Sequence, residues 1–164
     1  MVENGKLNIG IFSFTGDEGC VITLVEALND YIFKWKDFIN VKYARVLQRK
    51  NKLEDIDVAI VEGAMSSKNE ISRLEEIRKN SKKLVALGSC AIDGTPSNHR
   101  NFFLEPKLGD IMPLIKKFDL NVKVEPLNKF VKVDDVVPGC PMIPATFLNV
   151  MYKYFEEFGL KVPR

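Results

Sequence analysis

Two β-α-β units fill the first 90 residues, and that alternation constrains the fold more than any other feature of the chain. "KLNIGIFSF" (6–14) alternates and is rich in β-formers, which marks a strand. "CVITLVEALNDYIFKW" (20–35) puts Leu24, Leu28, Tyr31, Ile32 and Trp35 on one helical face. "VKYARVL" (41–47) is a second strand. "IDVAIVEG" (56–63) is a third, a short apolar run suited to a strand covered on both faces. "SKNEISRLEEIRKNSKK" (67–83) is a charged amphipathic helix that turns Ile71, Leu74 and Ile77 inward. "LVALGSC" (84–90) is a fourth strand that runs straight into a cysteine. Strands alternating with helices predict an α/β fold, a doubly wound parallel sheet with helices on both faces.

The second half is less regular. "TPSNHRNFFLEPKLGD" (95–110) is polar and punctuated by Pro and Gly, so it reads as loop. "DIMPLIKKF" (110–118) predicts a short helix. "VKVEPLNKFVKVD" (122–134) is extended, with Pro126 keeping it out of a central position. "VPGCP" (137–141) is a turn. A last helix starts at Pro144, presents Phe147, Leu148, Met151, Tyr154, Phe155 and Phe158, and stops at Gly159. At 164 residues, without a repeat or a linker, the chain is expected to form a single domain over 1–164.

Composition removes several functions. The 24 basic and 22 acidic residues give a net charge of +2, with no basic excess to track nucleic-acid phosphates. No apolar run approaches the roughly 18 residues that span a bilayer. "MVENGK" lacks the layout of a signal peptide. The expectation is a cytoplasmic protein that neither binds nucleic acid nor spans a membrane. No G-x-G-x-x-G follows a strand and no P-loop is present, which weakens nucleotide binding.

The three cysteines carry the chemistry. An odd number in a reducing compartment argues against a disulfide framework. Parallel sheets build their sites at the carboxyl ends of strands. Cys20 follows the first strand and Cys90 the fourth, so both are expected on one rim. Their contexts are "DEGC" and "GSCAIDG", and that of Cys140 is "PGCP". Glycine beside cysteine lets backbone approach a bulky inorganic group and lets amides point at its sulfides. Cys20 and Cys140 also precede helices, whose N-termini favour thiolate. Asp17 stands three before Cys20, the spacing of a C-x-x-C clip with its first member replaced. On the residues alone, a zinc site of three thiolates and an oxygen and an iron–sulfur cluster with a non-cysteine ligand or an open iron both stand. So do the blander readings, three core thiols and two acidic residues at a helix start.

"D-E-G-C" (17–20), "V-E-G-A" (61–64), "A-L-G-S-C-A-I-D-G" (86–94) and "P-G-C-P" (138–141) resemble, in order and spacing, the signature of the small subunits of [NiFe] hydrogenases. The related 20 kDa iron–sulfur subunit of respiratory complex I shares much of it. The resemblance runs over roughly residues 6 to 157. It implies a flavodoxin-like domain holding one [4Fe–4S] cluster, with Cys20, Cys90 and Cys140 as thiolate ligands. Asp17 stands where the family has its first cysteine and is the expected fourth ligand, a harder donor than thiolate. Glu62 takes the family's glutamate position near the subunit interface. It is expected at an interface or in proton transfer, with Glu18 the weaker candidate of the same kind.

The resemblance further implies a chain with no catalytic centre of its own. The cluster would relay electrons between a hydrogenase-like large subunit and a second redox subunit carrying flavin or iron–sulfur centres. No cysteine follows the last motif, which resembles the short, single-cluster form of cytosolic complexes or of complexes peripheral to a membrane. The alternative is a flavodoxin-like scaffold or binding module with a structural zinc or a lost cluster. Ser89 and Thr15 are expected as hydrogen-bond donors near sulfur. His99, the only histidine, is expected at the surface.

Overall fold

A computed structural model describes residues 5–163, so most of "MVENGK" and the two ends of the domain expected over 1–164 lie outside the described residues. The elements run β1 (Leu7–Ser13), α1 (Gly19–Trp35), β2 (Ile39–Ala44), β3 (Ile56–Glu62), β4 (Met65–Ser67), α2 (Lys68–Lys79), β5 (Ser81–Leu87) and α3 (Gly88–Asp93). They continue through α4 (Lys107–Lys117), β6 (Leu120–Glu125), β7 (Asp135–Val137) and α5 (Pro144–Glu157). Five strands pair in parallel in the order β2-β1-β3-β5-β7. Taken in chain order this is 2-1-3-4-5, the flavodoxin-like order, with its switch point between β1 and β3. The doubly wound expectation is met.

The strands sort their side chains by alternation. Leu7, Ile9 and Ile11, with Val58, Ile60, Val85 and Leu87, face one layer of the core and pack against α1 and α5. Phe12, Ala59, Val61, Leu84 and Ala86 face the other, with Leu74 and Ile77 of α2 and with Leu127. Burial on both faces explains the apolar runs 58–61 of β3 and 84–87 of β5, since neither face meets water there. Trp35 closes the end of α1 against α5, with ring centroids 5.3 Å from Phe155 and 5.8 Å from Tyr152.

Several boundaries differ from the sequence reading. The helix expected over 67–83 stops at Lys79, and Ser81 already pairs with Ile56 in the sheet. Asn80 ends the helix, and the parallel register with β3 draws the next residues into β5. The fourth strand therefore ends at Leu87, and Cys90 sits inside the short helix α3 rather than on a strand. β7 joins the main sheet through three residues, too few to leave a period-2 pattern. The segment from 122 is extended as expected but belongs to a small antiparallel pair with β4, and Pro126 ends it. α4 begins at Lys107, one turn inside the expected loop.

Candidate metal centre

β1 and β3 lie side by side with Ser13 opposite Glu62, so both strands deliver their last residues to one rim. The chain then turns through residues 14–18 into α1. Glu18 occupies the N-cap position with φ 61 and gives no side-chain cap. The first-turn amides, which have no partner within a helix, are satisfied from β3 instead. Glu62 Oε1 accepts Cys20 N–H at 3.1 Å and Oε2 accepts Val21 N–H at 2.9 Å. Ser13 Oγ donates to Oε2 at 3.5 Å. Glu62 is only 3% exposed. Burial raises its carboxyl above the ordinary value; the Cys20 and Val21 amides pull it down, and the Asp17 and Glu18 carboxylates add to the rise.

Asp17 and Glu18 are exposed on the rim. Asp17 Oδ1 accepts Gly19 N–H at 3.0 Å, a local turn that orients the carboxylate at the helix start. Cys20 is 7% exposed and packs within the apolar layer beneath α1. Burial pushes its thiol up to about 11, against a hydrogen bond from the Met142 amide; Glu62, Cys140 and Cys90 push it further up. Each of the other two cysteines is therefore within electrostatic reach of Cys20. At neutral pH the free Cys20 thiol keeps its proton, and a bound cation is what would drive it off.

Two glycines allow the three cysteine turns to meet. Gly88 has φ +80, and a Cβ there would collide with Cys20 Sγ while standing 3.3 Å from Gly139 O. Gly139 has φ +119, and a Cβ there would strike Pro141 O. Ser89 N–H donates to Gly139 O at 2.9 Å, which ties the start of α3 to the turn carrying Cys140. Cys20, Cys90 and Cys140 are free thiols that step outward, one buried, one half-buried and one exposed. They follow β1, β5 and β7, all at the carboxyl edge of the sheet, as expected for Cys20 and Cys90.

The hydroxyls near sulfur are not the expected ones. Thr15 Oγ1 is engaged with Ser66 Oγ at 2.6 Å and donates to Glu70 at 2.8 Å. Ser89 contributes its backbone N–H. The hydroxyl beside a sulfur is that of Ser97, 3.2 Å from Cys90 Sγ. Its one sequence signal is its place in the Pro-punctuated "TPSN" turn shortly after the third motif. His99 is exposed, as expected. A cleft of about 380 Å³ backs onto the same β1–α1 turn, lined by Phe14, Glu18, Tyr43, Arg45 and Arg73 among others, and has no cysteine on its wall.

Among the described residues no three His, Cys, Asp or Glu side chains stand close enough to hold one metal ion. The donor set nevertheless fits an iron–sulfur group. Three thiols share a rim, and Gly88, where a Cβ would strike a cysteine sulfur, leaves backbone bare beside one of them.

Comparison with known proteins agrees with this geometry. The family model described as NADH ubiquinone oxidoreductase, 20 Kd subunit, matches residues 18–154. That range takes in Glu18, Cys20, Glu62, Cys90 and Cys140 and begins one residue after Asp17. Sulfhydrogenase 2 subunit delta of Pyrococcus furiosus is 31% identical, over 82% of this chain and 56% of that protein. Coenzyme F420 hydrogenase subunit gamma of Methanosarcina barkeri is 28% identical, over 88% of this chain and 52% of that protein. The chain thus spans less than two thirds of the length of these relatives. A chain of an NAD+-reducing [NiFe]-hydrogenase in the H2-reduced state superposes with a TM-score of 0.79 at 21% identity, covering 97% of this chain and 95% of that one. With the ordered cysteine motifs, the strand order and the match over most of its length, this chain belongs to the NADH ubiquinone oxidoreductase 20 kDa subunit family, which takes in the small subunits of [NiFe] hydrogenases.

Proposed function

We propose that this chain is an electron-transfer subunit of a cytoplasmic [NiFe] hydrogenase-like complex. It holds one [4Fe–4S] cluster on Cys20, Cys90 and Cys140, with Asp17 as the fourth donor. It works between a hydrogenase-like large subunit and a second redox subunit carrying flavin or further iron–sulfur centres. The observation that carries this reading is the meeting of three cysteine turns from three separate strands, with Gly88 against Cys20 Sγ and Ser89 bound to Gly139.

The bound cluster supplies a one-electron couple whose potential depends on ligands, charge, hydrogen bonds and exposure. The chain's own residues set the frame. Glu62 fixes the first turn of α1 and so fixes Cys20. Buried and committed to two amides, Glu62 serves the site from the inside, while the exposed Glu18 is the acidic group that meets a partner. The exposed Cys140 marks the side that the large subunit would cover. The bare glycine backbone beside Cys20 Sγ suits a bulky polynuclear group with sulfides to accommodate better than a single zinc ion. Among the described residues no helix is long and apolar enough to cross a membrane.

Anaerobic purification or reconstitution, followed by a visible spectrum and iron and sulfide analysis, tests the reading. Broad visible absorption with iron and sulfide in equal amounts is expected, and Cys90→Ala should abolish it. A colourless protein, or one that takes up only zinc, would sink it.

A further inference from the structure

We propose that the Ser97 hydroxyl is a built-in hydrogen-bond donor to Cys90 that raises the reduction potential of the group bound there; this rests on the cluster reading above. Ser97 Oγ lies 3.2 Å from Cys90 Sγ and 3.2 Å from Thr15 O. A serine hydroxyl has one proton to give, so the two contacts compete. Thr15 O already accepts Ala64 N–H at 2.8 Å in the bridge that joins the β1–α1 turn to the residue after Gly63. Cys90 Sγ, as a metal-bound thiolate, is an acceptor only. Sulfur is also the larger atom, so 3.2 Å is relatively the closer approach. The proton goes to the thiolate, the charged acceptor of the two, and the Thr15 carbonyl is the acceptor it gives up.

The turn that carries Ser97 is stiff. Asn98 N–H donates to Gly94 O at 2.8 Å, and Thr95 N–H donates to Asp93 Oδ1 at 2.8 Å. Asn98 is buried and packs over Gly94, where a Cβ would stand 2.9 Å from Asn98 Nδ2. The turn thus folds back onto the end of α3, the helix that contains Cys90. The Ser97-to-Cys90 distance is set within one short closed segment rather than by the approach of distant elements. A donor held in that way costs no reorganisation when negative charge accumulates on the sulfur. It favours the reduced, more negative state, and its loss favours the oxidised one.

The experiment is a redox titration of the anaerobically reconstituted chain as wild type, Ser97→Ala and Ser97→Thr, with circular dichroism as a check on folding. Ser97→Ala should bind iron and sulfide as the wild type does and shift the midpoint potential to a more negative value. Ser97→Thr, which keeps a hydroxyl, should return most of the shift. Loss of iron in Ser97→Ala with uptake kept in Ser97→Thr also supports a role for the hydroxyl. An unchanged midpoint in Ser97→Ala overturns this inference and leaves the cluster reading standing. So does equal disruption by both variants, because the shape of the turn would then matter and the hydroxyl would not. A wild-type chain that takes up no iron overturns both.

Discussion

At the scale of single residues, the site is made by groups that do two things at once. The motif around Glu62 points to an interface or to proton transfer, and the structure gives the side chain a further task, capping α1 from a distance of 42 positions. Glu62→Gln keeps the volume but leaves one acceptor oxygen for two amides. We expect a loss of about 1.5–3 kcal/mol, the scale of a hydrogen bond to a charged group, measured as a lower urea midpoint; an unchanged midpoint would mean that the amides are satisfied otherwise. Asp17 is the residue on which the donor count turns. Its Oδ1 accepts Gly19 N–H, which leaves the second oxygen to give to iron. Asp17→Ala should lower the iron content or make it labile, and Asp17→Cys should move the midpoint potential. If both variants match the wild type in spectrum and potential, Asp17 is a helix-start residue and the cluster keeps an open corner.

At the scale of elements, the edge of the sheet is held by a carboxylate. Asp134 Oδ2 accepts Leu84 N–H at 2.9 Å and an Arg78 N–H at 2.7 Å, joining β5, the end of α2 and the residue before β7. Burial works to raise its pKa, but the Leu84 amide and the Arg78 guanidinium outweigh it and hold the carboxyl below its ordinary value. A depressed folded-state pKa contributes stability that is present above the unfolded carboxylate value and is lost as pH falls through the folded one. Asp134→Asn should therefore cost about 1–3 kcal/mol at pH 7. The gap to the wild type should narrow as pH falls below about 4, and melts at several pH values read it; a pH-independent gap would mean that charge is not what Asp134 contributes. α2 is also secured at its start. Ser67 and Glu70 form a reciprocal cap, and Glu70 accepts from Thr15, Ser66 and Ser67 together. That cap pins the turn on the opposite side of Thr15 from the one that Ser97 touches.

At the scale of the whole molecule, two helices packed against one face of the sheet bring the turns of Cys20 and Cys140 to one rim. α1 carries Cys20 and α5 follows Cys140, and Trp35 joins them, fully buried and 5.4 Å from Tyr31 as well as against Phe155 and Tyr152. Trp35→Ala should cost about 3–5 kcal/mol and, by loosening the frame, reduce the iron retained after reconstitution. Full retention at the lowered stability would show that the site is held locally. Much of this was legible in the chain itself. Local periodicity determines the strands and helices, since a buried strand or an amphipathic helix writes its environment into its own residues. The α/β class and the common rim of Cys20 and Cys90 follow from that, and the glycine–cysteine motifs mark the turns. What only the tertiary structure decided has no local trace. β7 is a strand because Val85, Ala86 and Leu87 stand opposite it. Cys90 lies in a helix because the register with β3 ends β5 at Leu87. Glu62 became a cap, and Ser97 rather than Thr15 or Ser89 became the hydroxyl at sulfur, because each role is set by a contact between residues that no periodic pattern relates.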